Sequence, residues 1–462
     1  MYVTYESFVA SKLSQSLPTG LTEMPALSPS LSPFQSDLVA WALKRGRGAI
    51  FAATGLGKTR MQIEWARHID GRVLVLAPLA VAQQTVAEAR AIGVEACVAR
   101  DDFGVAETGI TITNYDRLHK FDTSRFAGVV LDESSIIKHH DAKTLGRMLD
   151  AFRDTPFKLC ATATPAPNDF TELGTHAEFL GVCSREEMLA EFFCHDGGDT
   201  SVWRLKGHAK TAFWRWVATW GALVRAPSDL GYEDGAYALP PLHYHEHLIK
   251  LSQEEVFAAG QLFAQEAAGL MARRQARRDS LDKRGEQCAE VVNSEPGEPW
   301  VVWCDLNDES KALTKAIPGA IEITGSMNIE AKEAALIAFG KGERRVLVSK
   351  PRICGFGLNW QHAARMGFVG VTDSWEALFQ AIRREWRFGQ KRDVHVHLFA
   401  SEAEGAVLKN LRRKGEAAEA MGEALARETS QVVREQVYGL KRETNVYHAP
   451  RLEMPSWLTT HS

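Results

Sequence analysis

The stretch AATGLGKTR, Ala52 to Arg60, spaces glycines, a lysine and a threonine as a phosphate-gripping loop would. Glycines let the backbone come close to phosphate oxygens. The free N–H groups of the loop and of the helix that follows then hold the anion. With Thr54, Gly55 and Gly57 forming the loop, Lys58 would reach the β- and γ-phosphates of a nucleotide and Thr59 would ligate Mg2+. Ala52 stands where the pattern GxxxxGK[ST] has its first glycine, so the match is broken at one position. A second stretch, GVVLDESS from Gly128 to Ser135, is an apolar run that ends in two carboxylates. There Asp132 would hold the metal ion, mostly through water, and Glu133 would orient and deprotonate an attacking water. A third stretch, FQAIRREWRFGQKRD from Phe379 to Asp393, crowds four arginines and a lysine around a tryptophan. By residue type alone it is either a solvated basic face or a set of arginines with separate tasks.

These groups need strands and helices to position them. Short β-branched runs at 49–54, 72–78, 109–114, 128–133 and 158–165 alternate with helical stretches. Buried parallel strands read this way, and the alternation implies a doubly wound α/β sheet. A second block of the same kind has strands at 300–305, 320–325, 345–350, 366–372 and 394–400. The expected fold is therefore α/β, with two lobes and a cleft between them, and a mainly helical segment joining the lobes. The divisions are a lead-in at 1–30, a first lobe at 31–180, the helical segment at 181–298, a second lobe at 299–401, and a charged helix with a tail at 402–462. Within the joining segment Phe213, Trp216, Val217 and Trp220 share one helical face, which reads as core.

Composition narrows the class. The chain has 462 residues, enough for two or three domains, with a formal net charge of −4. Nucleic-acid binding would have to come from local basic patches. The 7 cysteines form no CxxC pair, so neither a zinc site nor a disulfide framework is expected. No apolar run is long enough to span a bilayer, and MYVTYESFVASKL lacks the pattern of a signal peptide, so a cytoplasmic protein with no membrane partner is expected.

ATGLGKT, LDESS and ATATPAPN (161–168) resemble motifs I, II and III of superfamily-two helicases, closest to the Swi/Snf-type branch. SPFQSDLVAWAL (32–43) resembles the upstream segment whose glutamine, here Gln35, reads adenine. LAPLAVAQQT, ITNYDRL and ELGTHAEFL resemble further motifs of the first lobe. EITGSMNIEAKEAALIAF, KPRICGFGLNWQHA and QAIRREWRFGQ resemble motifs IV to VI of the second. The resemblance covers about 32 to 180 and 299 to 400, and implies two RecA-like P-loop NTPase lobes. Residues 203–232 resemble the middle of compact phage and prophage helicases.

The resemblance further implies a DNA-dependent ATPase motor that binds ATP and Mg2+ between its lobes and translocates on or remodels duplex DNA without sequence preference. It assigns Arg384 and Arg387 as fingers to the γ-phosphate, and Gln380 and Gly357 to the nucleotide. Three residues apart, the two arginines are expected on one helical face. Arg383 replaces a family glycine and is left to face DNA, an acid or solvent. Lys391 and Arg392 are expected to cap the helix or stay hydrated. DNA phosphates would meet Pro78, Asn114, Thr324, Gly325, Lys350 and Arg352. The basic runs 272–284 and 409–416 are open between DNA contact and solvated surface. Ser134 and Ser135 depart from the Ala-His that many relatives carry. A bacterial or phage-infected cell, with replication, recombination or phage proteins as partners, fits the resemblance.

Three rivals stand beside this motor. One is an ATP-switched nucleic-acid clamp with little turnover, which Glu133 and the arginines argue against. Another is a strand-separating helicase acting on DNA or RNA. The third is a metabolite kinase, which leaves the second lobe unexplained.

Overall fold

Two all-parallel sheets carry the molecule. The structure is a computed structural model that describes residues 18–78, 81–138, 143–196, 199–250, 280–351, 353, 360–370 and 374–438. Strands β1 (Arg47–Ala52), β2 (Arg72–Ala77), β3 (Ala96–Val98), β4 (Gly109–Asn114), β5 (Gly128–Asp132) and β6 (Phe157–Thr162) belong to the first sheet. An antiparallel hairpin follows, β7 (Phe193–Asp196) with β8 (Asp199–Leu205). The chain then returns to the first sheet as β9 (Gly221–Val224), giving the order β3-β4-β2-β5-β6-β1-β9. The second sheet consists of β10 (Leu242–Ile249), β11 (Trp300–Cys304), β12 (Ile321–Ile323), β13 (Val346–Ser349), β14 (Arg365–Val369) and β15 (Val394–Ser401), in the order β10-β15-β14-β11-β13-β12.

Both faces of each sheet are covered. In β1, Ala49 and Phe51 enter one hydrophobic cluster while Ile50 and Ala52 enter another on the opposite side. Strands buried on both faces need apolar residues at every position, which is why they stand out in the sequence as continuous runs. Phe213, Trp216, Val217 and Trp220 are buried in the first lobe, so the aromatic stripe is core.

The segment 181–298 was expected to be mainly helical, and residues 251–279 of it lie outside the described residues. Its described residues are mixed, and two of its strands complete the two sheets. β9 pairs with β1, and β10 pairs with β15 over eight residues. Four residues are too few to show a period in β9. The sequence of β10, LHYHEHLI, alternates histidine with other residues rather than apolar with polar. Its His243, His245 and His247 stack on His395, His397 and Phe399 of β15 as a ladder of rings. Of the basic run 272–284, residues 272–279 lie outside the described residues, and its last residues open helix Leu281–Ser294.

The helix Gly405–Tyr438 packs into the cores of both lobes. Val407, Leu408 and Leu411 lie in the core of the second lobe, and Met421, Leu425 and Ala426 lie in that of the first. Much of the basic run 409–416 is used inside the chain. Arg412 pairs with Glu246, and Lys414 Nζ donates to Asn168 Oδ1 at 3.1 Å. Arg284, from the other basic run, is fully buried and paired with Glu309 at 2.9 Å. Among the described residues no helix is long and apolar enough to cross a membrane.

Candidate active site

β1 ends at Ala52, and the helix Lys58–Arg67 begins directly after Gly57. The loop between them holds Gly55 at φ +94° and Gly57 at φ +80°. Side chains disfavour this region, and both positions are also crowded. A Cβ on Gly57 would collide with Gln35 Nε2, and one on Gly55 would lie 2.9 Å from the backbone of Phe388. Gln35 is therefore part of the loop's support. Its Nε2 donates to Leu56 O at 2.8 Å, and its Oε1 accepts from Ser32 N at 2.9 Å. Lys58 Nζ donates to Ala52 O at 2.8 Å and Ala53 O at 3.4 Å. Burial pushes the Lys58 ammonium down in pKa. Glu133 and Asp132 oppose that shift, and Arg383 and Arg387 add to it. One lysine thus feels both acids of its own lobe and two arginines of the other. Thr54 and Thr59 are half-buried at the mouth of this loop.

The acids sit where β5 stops. Asp132 Oδ1 accepts from Gln62 Nε2 at 2.7 Å, and its backbone carbonyl accepts from the Tyr115 hydroxyl at 2.7 Å. Glu133 takes a left-handed backbone with φ +57°, the sole positive φ of a non-glycine among the described residues. Such a conformation costs on the order of 1 to 3 kcal/mol and persists where surrounding contacts impose it. Glu133 Oε1 accepts from Thr162 Oγ1 at 2.9 Å, from Gln380 Nε2 at 3.2 Å and from Ser135 Oγ at 3.4 Å. Burial raises the pKa of both carboxyls, while Lys58 lowers it. Ser134, the other departure from the usual motif, is fully buried and meets His176 Nε2 at 3.1 Å. Burial pushes His176 down to about 4, so this pair is neutral structure near pH 7.

The arginine segment is not a continued helix. Helix Trp375–Ile382 stops at Arg383, and the chain tightens into turns. The Arg384 carbonyl accepts from Trp360 N at 3.0 Å instead of from a further helical turn. Arg384 and Arg387 therefore do not share one helical face. Arg384 lines the cavity between the lobes beside Glu133, whereas Arg387 lies near Lys58. Arg383 is turned inward rather than left in solvent. It is 8% exposed, with its guanidinium 4.8 Å from the Phe379 ring and 4.3 Å from the Trp386 ring. Arg392 does not cap the helix, since it bonds Glu298 at 2.7 Å and the His362 carbonyl at 2.6 Å.

A cavity of about 660 Å3 lies between the lobes. It brings together Pro78, Asn114, Glu133, Lys350, Gln380 and Arg384. Lys138 of the first lobe pairs with Glu376 of the second on its wall. Asn114 also caps the turn after β4, accepting from Arg117 N at 3.1 Å. Thr324 and Gly325 follow β12, with Gly325 exposed and Thr324 Oγ1 3.0 Å from Ser326 Oγ. Arg352 and Gly357 lie outside the described residues. Among the described residues no three His, Cys, Asp or Glu side chains converge on a metal position.

Reasoning from sequence passed over Gln62, Tyr115, Lys138 and Glu376. Nothing local marks Gln62, Lys138 or Glu376, which matter through partners brought in by the fold, but Tyr115 lies inside the quoted ITNYDRL. Thr162 was within reach, because it lies inside the quoted ATATPAPN and ends the strand beside β5.

Together these features make a two-lobe α/β fold built on two parallel sheets, with the glycine loop on one lobe and the arginine turn on the other. Its likeness to a solved structure is to the Sulfolobus solfataricus SWI2/SNF2 ATPase core in complex with dsDNA. That match has 17% identity and a TM-score of 0.40, covering 91% of this chain and 98% of the other. Similarity at that level carries no function across. No family model and no curated protein matches the chain.

Proposed function

We propose that the chain is an ATP-hydrolysing motor that acts on duplex DNA, coupling hydrolysis to closure of its two lobes. The observation that carries this reading is the bond from Gln380 to Glu133, through which the acid at the end of β5 meets the arginine segment across the cleft. A nucleotide on the loop at 54–59 would have Lys58 at its β- and γ-phosphates, Glu133 beside the attacking water, and Arg384 and Arg387 arriving from the second lobe. An arginine of this kind stabilises charge spread over the γ-phosphoryl oxygens and is worth roughly 10³- to 10⁵-fold in rate. The fit to Mg2+ is reasonable: Asp132 and Thr59 would hold it, with phosphate and water completing the shell. When bound, Mg2+ neutralises phosphate charge.

Glu133 is suited to be the base. Burial lifts its proton affinity toward the working range, while Thr162 and Gln380 fix its carboxylate. Pro78, Asn114 and Lys350 on the cavity wall, with Thr324 and Gly325 after β12, are the proposed phosphate contacts of the DNA track, and Arg352 is proposed with them from the sequence alone. The test is ATP turnover without nucleic acid and with duplex DNA, single-stranded DNA or RNA. Stimulation by duplex DNA is expected, and a rate indifferent to all three would refute the motor.

One observation favours a second reading, strand separation. The hairpin β7–β8 forms a two-stranded sheet of its own, packed on the first-lobe core through Phe193, with the His195 and Trp203 rings 3.8 Å apart and tilted by 38°. A hairpin of this kind can wedge between the strands of a duplex. Triplex displacement without fork unwinding supports translocation, and efficient fork unwinding supports separation.

A further inference from the structure

The arginine turn is held from an unexpected direction. Helix Trp375–Ile382 ends before Arg384, so helical geometry does not aim Arg384 and Arg387. Beside the bond from Trp360 N to Arg384 O, two contacts that fix this turn come from the connector leading from β9 to β10. Pro240 O accepts from Trp386 Nε1 at 2.7 Å. The Tyr237 ring lies against Phe388, with centroids 4.9 Å apart and planes tilted by 35°. On its other side Tyr237 meets the ring of Phe34 edge-on, at 5.2 Å and 88°. Phe34 immediately precedes Gln35, the residue that supports the nucleotide loop through Leu56. Phe388 immediately follows Arg387 and packs over Gly55 of that loop.

Three chain segments thus meet in one line of aromatic rings at the rim of the loop: the first helix of lobe one, the connector, and the arginine turn of lobe two. Tyr237 is the middle ring. Edge-on and tilted ring pairs have preferred geometries, so a ring held on two sides transmits position and does more than fill space. Arg383, stacked between Phe379 and Trp386, stiffens the same turn from within.

We propose that Tyr237 is a positioning residue: it sets where Arg387 and Phe388 stand relative to the nucleotide loop, through its contacts with Phe388 and Phe34. The inference rests on the ATPase reading above. It predicts a loss in the chemical step while nucleotide binding is kept, because the loop's own contacts through Gln35 and Lys58 do not include Tyr237. A displacement of reacting groups by about 1 Å can cost roughly 100-fold in rate.

The experiment measures kcat and KM for ATP, with duplex DNA present, together with the affinity of a fluorescent ADP analogue. Wild type, Tyr237→Ala, Tyr237→Phe, Phe388→Ala and the double alanine variant are compared. Tyr237→Ala is expected to lose about 10- to 100-fold in kcat with KM and ADP affinity nearly unchanged. Tyr237→Phe should recover most of the loss. The double variant should be no worse than Phe388→Ala alone, since the two rings act as a unit. Tyr237→Leu replaces Tyr237→Ala if the latter does not fold. Wild-type kcat in Tyr237→Ala or Tyr237→Leu, additive losses in the double variant, or an equal loss in Tyr237→Phe would each overturn the proposal. A wild-type protein without ATP turnover would instead overturn the ATPase reading, which keeps the two failures apart.

Discussion

Gln380 of the second lobe donates its side-chain amide to Glu133 of the first across 3.2 Å. The same carboxylate oxygen accepts from Thr162, and Glu133 sits in a left-handed backbone that only surrounding contacts sustain. The bond therefore joins lobe closure to the pose of the acid. Replacing Gln380 by Glu sets a second carboxylate against Glu133 in a buried site, where like charges cost several kcal/mol. Gln380→Glu should hold the lobes apart and depress ATP turnover. Small-angle scattering checks the first effect: an unchanged radius of gyration would mean that the contact does not control closure.

Glu133→Gln tests the acid itself. The amide is nearly the same size and can still meet Thr162, so nucleotide binding should persist. It cannot accept a proton from water, and hydrolysis should fall by at least about 100-fold, the usual scale of a lost general base. Single-turnover ATP hydrolysis beside ADP-analogue binding separates the two effects, and turnover at the wild-type rate would remove Glu133 from the role.

Arg387 and Arg392 separate the functions of one basic stretch. Arg387 lies near Lys58 at the glycine loop, whereas Arg392 ties the following turn to Glu298 and the His362 carbonyl. Arg387→Ala should reduce kcat by roughly 10³-fold or more, the scale of a lost arginine finger. Arg392→Ala should act mainly on stability, lowering the thermal midpoint with a much smaller change in kcat. Equal losses in kcat would return the stretch to an undivided basic surface.

The contrast between these arginines shows what could be read from sequence. The apolar strands, the glycine loop and the Asp-Glu pair are local signals, because parallel strands and phosphate loops impose residue types on consecutive positions. The two-lobe α/β fold was legible for that reason. The environments of Arg383 and Arg392 depend on Trp386, Glu298 and His362, and the last two are distant in sequence or set by turn geometry. β10 was missed on the same ground. Its histidines make sense only beside His395 and His397, about 150 residues away, and LHYHEHLI has no apolar–polar alternation to announce a strand.

The histidine ladder gives the lobe-two edge a pH dependence. His245 Nε2 meets His395 Nδ1 at 2.9 Å, and His247 Nε2 meets His397 Nδ1 at 3.0 Å. Burial and the neighbouring rings push His397 down to about 3, and burial lowers His247 and His395 as well. Arg365 opposes protonation of His395 and His397, while Asp393 favours it at His395. Folding keeps these bases neutral, whereas the unfolded chain protonates them near their ordinary pKa of 6.5. The ladder's contribution is therefore full above about pH 6.5 and is lost as pH falls below it, because the unfolded state then binds more protons. Urea unfolding midpoints at about pH 7.5 and 5.5 should differ more for wild type than for His397→Phe. The same difference in both proteins would show that the ladder is not the sensor.

Glu309 carries the largest single stability forecast. Its Oε1 meets the Arg284 guanidinium at 2.9 Å, with both side chains fully buried, and its Oε2 accepts from the backbone N–H groups of Asp305 and Leu306, each at 2.9 Å. Gly370, on the wall of the interlobe cavity, leaves no room for a Cβ beside this carboxylate and takes φ +84°. Removing one partner of a buried ion pair costs about 3 to 5 kcal/mol, since the other charge is left without compensation. Glu309→Ala should lose at least that much, since it also removes the acceptor of two backbone N–H groups, read from urea unfolding. An apolar replacement of both partners is often neutral when the pair is all that is at stake. Here it should not be, because the two backbone N–H groups lose their acceptor at the start of helix Asn307–Ala316. Arg284→Met with Glu309→Leu should therefore remain about 2 to 4 kcal/mol less stable than wild type, about 1 to 2 for each lost acceptor contact. A neutral double variant would show that the carboxylate serves the arginine alone and that the helix start holds without it.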